Sequence, residues 1–335
     1  MSAPRVSILL PVRNEARLLP AALVSLSRQT LPDWELVAVD DGSSDATPAI
    51  LAAAAGRDPR VRLLRQPANG LVAALNLGLA ACRAPLVARM DGDDICHPQR
   101  LQRQTAFLAD HPEVTLVACG VRQVPRPTLT AGMLAYERWQ NSLLDHDSIC
   151  RDLFVESPFV HPSVTFRRDA VLALGGYRDY GWAEDYDLWL RLARAGARFA
   201  RLPDVLYYWR DRPQRLTRTA QAYSLAAFRT CKTHHLLRGF LAGATEVTLW
   251  GAGIEGKAWR PTLARAGIAV RRWIEVDPRK IGQVIHGAPV VGTDALAPQD
   301  GKILVTIGAK GARDQVRAFA GQARLVDGRD FICVT

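Results

Sequence analysis

The first 95 residues repeat one pattern: a short apolar run, a polar knot, then a stretch with helical spacing. The runs are Arg5-Val6-Ser7-Ile8-Leu9-Leu10-Pro11, Glu35-Leu36-Val37-Ala38-Val39, Arg60-Val61-Arg62-Leu63-Leu64 and Ala84-Pro85-Leu86-Val87-Ala88. Each is too short for a stable helix and apolar enough for a buried strand. Strands alternating with helices at this spacing predict an α/β domain with a mainly parallel sheet. Ligands of such sheets bind beyond the carboxyl ends of the strands. Three polar knots fall there: residues 11–15, Asp40-Asp41-Gly42-Ser43-Ser44-Asp45, and Met90-Asp91-Gly92-Asp93-Asp94.

The last knot carries the most chemistry. Three carboxylates at one strand end repel one another unless a cation or solvent screens them. A hard divalent ion takes such oxygen ligands and leaves places for waters and phosphates. A solvated acidic turn is the competing reading of that run alone. Locally, Asn14 is expected to cap a helix reaching about Gln29, with Glu15 in its first turn. Further helices are expected to about Ala55 and from Asn69-Gly70 to about Cys82.

The 335 residues suffice for two domains, and 48% hydrophobic with 23% charged residues is ordinary for a globular chain. Net charge is +10, carried mostly by arginine; the first lysine is Lys232. The arginines are scattered rather than striped with aromatics, so nucleic acid is the weakest candidate among anionic partners. The six cysteines show no Cys-x-x-Cys spacing, which argues against a zinc site or disulfide framework and for a cytoplasmic setting. No stretch approaches the roughly 20 apolar residues that span a bilayer. The start lacks a long apolar leader, so membrane contact is expected to be peripheral, at the inner face.

Residues 4–215 resemble the family 2 glycosyltransferases of GT-A fold. The likeness rests on five motifs in order: residues 6–15, Val39-Asp40-Asp41-Gly42-Ser43-Ser44-Asp45, Asn69-Gly70, Asp91-Gly92-Asp93-Asp94, and Ala183-Glu184-Asp185-Tyr186-Asp187-Leu188-Trp189. The resemblance implies an inverting transfer from a nucleotide-sugar donor, UDP-linked by preference, to a hydroxyl of a glycan or lipid-linked acceptor. It implies Mg²⁺ or Mn²⁺ on Asp93 and Asp91, bridging the donor phosphates. Pro11, Asn14, Glu15, Asp41, Asn69 and Asp91 would contact the nucleotide. Asp94 would orient Asp93 or bind the His97-Pro98 turn. Asp185 would be the catalytic base, with Glu184 as the fallback; an acidic pair at a helix start is also an ordinary cap. Arg210, Arg212 and His161 are candidates for phosphate or acceptor contact, each with an equally ordinary turn role. Trp182 and Trp189 are candidates for sugar stacking, Trp189 the better fit to core. Relatives carry a cation near Leu71; this chain has none there.

Residues 136–156 read as helical, Tyr186 to Ala195 as an amphipathic helix with Leu188, Leu192 and Ala195 on one face, and residues 218–241 as a basic connecting helix. Beyond it, Glu246-Val247-Thr248-Leu249-Trp250 is followed by Gly251-Ala252-Gly253-Ile254-Glu255-Gly256 and a helix, a Gly-x-Gly-x-x-Gly pattern in strand–turn–helix context. With the strand 271–277 ending near Asp277, this predicts a small Rossmann-like domain of about 90 residues. It is similar to the nucleotide-sugar-binding N-terminal domain of sugar O-acyltransferases. Gly251, Gly253, Gly256 and Asp277 form a second candidate nucleotide site, with close strand–helix packing as the other role for the glycines. The expected division is 1–217, 218–243 and 244–335. Two other functions stay open: a nucleotide-dependent oxidoreductase led by the glycine pattern, and a regulatory protein that binds nucleotide sugars without turnover.

Overall fold

The computed structural model describes residues 3–297, 301–309 and 311–335. Two compact units divide the chain. The first comprises residues 1–149, 158–180 and 184–219; the second comprises 150–157, 181–183 and 220–335.

The first unit is built on eight strands: β1 (Val6–Val12), β2 (Trp34–Asp41), β3 (Val61–Gln66), β4 (Leu86–Arg89), β5 (Ile95–Cys96), β6 (Val114–Val124), β7 (Thr165–Arg167) and β8 (Arg198–Arg210). Their order is β3-β2-β1-β4-β7-β6-β8-β5. The β3-β2-β1-β4 half is parallel throughout. β7 then runs antiparallel to both β4 and β6, β8 runs parallel to β6, and β5 closes the far edge antiparallel. The sheet is therefore mixed and mainly parallel, as the alternation of runs and helices predicts.

Its helices are α1 (Leu19–Ser27), α2 (Thr47–Arg57), α3 (Leu71–Ala81), α4 (Arg100–Asp110), α5 (Ala131–Ser142), α6 (His146–Asp152, whose last turn enters the second unit), α7 (Arg168–Ala173), α8 (Glu184–Arg194) and α9 (Leu216–Thr219). Alternate strand residues divide between two faces. Ile8, Leu10, Leu36 and Ala38 join Leu19, Leu26, Leu51, Leu101 and Leu108 in one buried cluster. Leu9 and Val39 face the other way, against α3. A Cβ on Gly78 there would collide with the Leu9 side chain and lie 2.9 Å from Val39 Cγ2, so only glycine lets α3 approach this closely.

Several local expectations are corrected. Asn14 does not cap a helix: it adopts a left-handed conformation with φ 54°, and α1 begins only at Leu19, where Pro20 occupies the first turn and suits it. Residues 136–156 do not form one helix, because the chain breaks between α5 and α6. Ala195 lies beyond α8 and is exposed, while Tyr186, Leu188, Trp189, Leu190 and Leu192 are all buried. The basic helix expected over 218–241 is also interrupted: α10 (Leu225–Leu236) starts afresh where Ser224 Oγ accepts from Ala227 N, at 3.2 Å.

The second unit contains α10, β9 (Glu246–Trp250), α11 (Ile254–Arg265), β10 (Ala269–Ile274), β11 (Val284–Ile285), β12 (Ala288–Val291), β13 (Ile303–Val305), α12 (Ala312–Gln322) and β14 (Phe331–Cys333). Its six strands lie in the order β11-β12-β10-β9-β13-β14. All pairings are parallel except β11 with β12. Lys232, on the expected basic connecting helix, is buried and donates to the carbonyls of Val155 and Val334, at 2.8 and 3.1 Å. Among the described residues no cysteine forms a disulfide, and no helix is long and apolar enough to cross a membrane.

Candidate active site

Parallel pairing of β2, β1 and β4 brings their carboxyl ends to one edge, and the loops beyond them are laced together. Glu15 N donates to Thr47 Oγ1 at 2.8 Å, Ala16 N to Asp45 Oδ2 at 3.0 Å, and Asn14 N to Ser43 Oγ at 2.9 Å. Asn14 Oδ1 in turn accepts from Ser44 N at 2.9 Å. Pro11 sits inside β1, buried and paired with Val39. Asp41 ends β2 and accepts from Gln66 Nε2 (2.7 Å), Asn69 N (2.9 Å) and Gly70 N (3.1 Å), which anchors the turn opening α3. Its carboxylate thus faces its own chain's amides. Gly92 packs against β1: an added Cβ would lie 2.7 Å from Val12 Cγ1 and 3.5 Å from Glu15 Cγ.

Asp91, Asp93 and Asp94 each offer an oxygen within 4.8 Å of the others. Their surroundings differ. Asp91 pairs with Arg89, Nη2 to Oδ1 at 2.8 Å, and its side chain is 31% exposed. Burial works to raise its carboxyl, but Arg89, His161 and Arg215 outweigh burial and hold it below the usual range. Asp93 is pushed up, by burial first and then by Asp91, against Arg212. Its Oδ2 lies 2.8 Å from Arg212 Nε, and Arg212 also pairs with Glu15. Burial, and then the Asp93 and Asp91 charges, push Asp94 well above the usual range.

Asp94 corrects an expectation. It neither orients Asp93 nor binds the His97-Pro98 turn. It is buried and accepts from Tyr207 Oη (2.9 Å) and Arg210 N (2.6 Å), so it ties β8 to the acidic turn. Arg210 Nε donates to the Asp93 carbonyl at 2.8 Å. Three hard oxygen donors whose like charges raise one another suit a divalent cation. Asp91 and Asp93 reach solvent with oxygens to spare, whereas Asp94 already serves two donors.

Glu184 and Asp185 form the first turn of α8 rather than the residues before it. Glu184 is buried, and its Oε1 lies 3.4 Å from His161 Nδ1; His161 Nε2 lies 3.0 Å from Tyr177 Oη. His161 is therefore held between two protein groups, and burial, then Arg89, lowers its basicity. Asp185 stays partly exposed. Burial first, then Glu184, raises its carboxyl well above the ordinary range, while Arg89 pulls the other way. Trp189 is fully buried in the core. Trp182 packs its ring 5.2 Å from that of His234 within the second unit.

Arg89, Tyr177 and Tyr207, which contact the site's carboxylates and His161, lie outside the sequence motifs. Arg89 left a signal, a cation inside an otherwise apolar strand; the two tyrosines left none.

Residues 7–175 match the model of the family described as glycosyl transferase family 2. The chain belongs to that family. It is a glycosyltransferase, and over 203 residues it is 36% identical to the amylovoran biosynthesis glycosyltransferase AmsE of Erwinia amylovora, spanning 60% of this chain and 74% of the relative. The glycosyltransferase also shares its fold with S. aureus TarS 1–349 in complex with UDP-GlcNAc (TM-score 0.54, 19% identity, 78% of this chain and 71% of that one). A further fold match is the mannosyltransferase PcManGT from Pyrobaculum calidifontis in complex with GDP-Man and Mn2+ (TM-score 0.51, 23% identity, 80% and 70%). The family match ends before Glu184-Asp185, so those two residues rest on the motif and the geometry alone.

In the second unit Gly251 holds φ 114° and Gly256 sits inside α11, where a Cβ would collide with the Gly251 carbonyl. Glu275, not Asp277, touches the glycine turn: its Oε2 accepts from Ala252 N (3.2 Å) and Lys280 Nζ (3.0 Å). Asp277 pairs outward with Arg279 at 2.9 Å. Gly253 has open space around it.

Proposed function

We propose that this glycosyltransferase moves a sugar from a nucleotide-sugar donor, UDP-linked by preference, to a hydroxyl of a glycan or lipid-linked acceptor in cell-surface polysaccharide synthesis, with inversion at the anomeric carbon. The observation that carries the reading is the placing of Asp91 and Asp93, beyond β4, beside the hydrogen-bonded loops after β1 and β2, with Arg212 pairing both Asp93 and Glu15. The Erwinia relative's name and the UDP-GlcNAc and Mn2+ held by the fold relatives support it.

Pro11, Asn14, Glu15 and Asn69 border the nucleotide. Asp41 acts on it indirectly, by fixing the Asn69-Gly70 turn. Asp91 and Asp93 would hold Mg²⁺ or Mn²⁺, which would supply Lewis-acid stabilisation of the charge on the departing diphosphate. Arg212 and Arg210 supply positive charge beside those carboxylates. Asp185 accepts the proton of the attacking hydroxyl, its partial exposure leaving it within reach of an acceptor. Glu184 is engaged with His161, which leaves Asp185 the freer base. The raised Asp185 carboxyl suits the task, because a base works best with affinity near that of the operating pH. Work at the cytoplasmic face, with peripheral membrane contact, completes the reading.

The second unit is Rossmann-like in our reading: its five parallel strands follow the 3-2-1-4-5 order of such folds. Close packing at Gly256 and the commitment of Glu275 support a structural role for the glycine turn over a second nucleotide site at Gly251, Gly253, Gly256 and Asp277.

Asp185→Asn tests the assignment. The variant should bind UDP with Mn²⁺ as the parent does and lose about two to four decades of turnover. Normal transfer by the variant would move the base elsewhere.

A further inference from the structure

We propose that Arg215, laid on the face of Trp209, is a diphosphate-binding residue at the rim of the acidic edge, its guanidinium taking phosphate oxygens of the sugar donor or of a diphosphate-linked lipid acceptor. The inference rests on the transfer reading given above and adds a residue that none of the sequence motifs contains.

The end of β8 places it. Arg210 N donates to Asp94 Oδ1 at 2.6 Å, and Arg210 Nε donates to the Asp93 carbonyl at 2.8 Å. Asp211 N donates to the Val124 carbonyl of β6 at 2.7 Å. Arg212 Nε lies 2.8 Å from Asp93 Oδ2, and the same side chain pairs with Glu15. Three consecutive residues therefore fix this segment against β6 and the acidic turn. Arg215 N then donates to the Arg212 carbonyl at 3.3 Å, which closes a turn and brings residue 215 back over the strand end. Its guanidinium carbon lies 3.8 Å from the centre of the Trp209 ring. That ring is held in turn by Tyr136 of α5, with centroids 6.3 Å apart. Arg215 thus stands half-buried on a fixed platform, one turn beyond the contact with Asp93.

The arginines around it are committed to protein acceptors. Arg210 serves the Asp93 carbonyl, Arg212 serves Asp93 and Glu15, and Arg218 pairs with Asp211 at 2.8 Å. Arg60 shows what a structural stack looks like here. It too lies 3.8 Å over a tryptophan, Trp34, but its edge is filled by Asp58 at 2.8 Å and the Pro32 carbonyl at 3.2 Å. Among the described residues Arg215 makes the stack with no hydrogen-bond acceptor and no ion pair. Stacking occupies the face of a guanidinium and holds it flat. The N–H edge stays available, and its planar fork matches a pair of phosphate oxygens. The competing role is to screen the acids its charge faces, Asp94, Asp91, Asp93 and Asp211, none of which it pairs with.

The test is calorimetry on the full-length parent, Arg215→Gln, Arg215→Lys and, as a control for lost charge, Arg218→Gln. Arg215→Met replaces the Gln variant should that one fail to fold. Pyrophosphate with Mn²⁺ should bind Arg215→Gln about tenfold more weakly than the parent, with Arg215→Lys between them and Arg218→Gln like the parent. Uridine, which carries no phosphate, should bind all four alike. No binding of pyrophosphate by the parent, or equal affinity in Arg215→Gln, would overturn the proposal and leave Arg215 a screen for the acids. An equal loss of uridine binding would overturn it as well, because that loss reports a disturbed loop. Two further ligands separate the sources. Weakened UDP binding in Arg215→Gln assigns the residue to the donor's diphosphate; weakening confined to geranyl diphosphate assigns it to the acceptor's. A parent that binds pyrophosphate through Arg215 but no UDP loses the transfer reading and keeps the diphosphate site.

Discussion

Arg212 and Asp93 form an ion pair, Nε to Oδ2 at 2.8 Å, and the same guanidinium reaches Glu15. The chain thus places its own cation on a carboxylate assigned to the metal. Arg212→Gln should remove this competitor, so that Mn²⁺ alone binds about tenfold tighter by calorimetry. An unchanged affinity would mean that the pair opens at no cost.

Asp93→Ala addresses the metal role from the other side. UDP binding should lose its dependence on Mn²⁺, while the melting temperature should hold or rise, because a carboxylate crowded by Asp91 is removed. Retained metal dependence would shift the role to Asp91.

Two carboxylates should give stability opposite signs of pH dependence. Glu35 accepts from Ser7 Oγ (2.6 Å), Arg83 N (2.7 Å) and Arg62 Nη1 (3.0 Å). Burial opposes its ionisation, and these donors together outweigh burial, so its carboxyl lies below the ordinary 4.5. Its contribution is present above that value and lost as pH falls through the depressed one. Asp185 is raised from 3.8, by burial first and Glu184 next. Its contribution is present below 3.8 and lost as pH rises through the elevated value. Asp185→Asn should therefore melt higher than the parent at pH 7, with no advantage below pH about 4. Glu35→Gln should lower stability at pH 7 and blunt the loss on acidification. Both series are read by thermal melts across pH.

Gly256→Ala tests the second unit. The new methyl would meet the Gly251 carbonyl and lie 2.9 Å from Thr306 Oγ1 and 3.1 Å from the Trp273 ring. Backbone cannot yield as a side-chain tip does, so a loss of about 1–3 kcal/mol in chemical denaturation is expected. Nucleotide added to the parent should not raise its midpoint if the glycine turn is packing alone.

Much of the architecture was legible because the burial signal is local. Runs such as Leu36-Val37-Ala38-Val39 have no other stable use than a covered strand, and acids at their ends mark the sheet's working edge. The errors share a cause. Asn14 reads as a cap because Asn caps helices, yet it tolerates the left-handed conformation equally well, and Pro20 decides where α1 begins. Residues 218–241 have helical composition throughout, but Ser224 offers a fresh start that periodicity does not weigh. His161 stays open in the sequence between a phosphate or acceptor contact and an ordinary turn role, because the Tyr177 and Glu184 that hold it lie 16 and 23 residues away.

Composition and order alone determined that this chain makes an α/β sheet with a row of carboxylates beyond its strand ends, since hydrophobic periodicity and turn chemistry are properties of neighbours in sequence. Which acids face solvent and which are spent on the fold was decided only by the tertiary structure. Asp94 is consumed by Tyr207, 113 residues later, and Asp41 by Gln66 and the Asn69-Gly70 amides. Asp91 keeps its charge because Arg89 lies beneath it. The affinity of a carboxylate for protons, metal or substrate depends on what surrounds it within a few ångströms, and those neighbours come from strands and helices far apart along the chain.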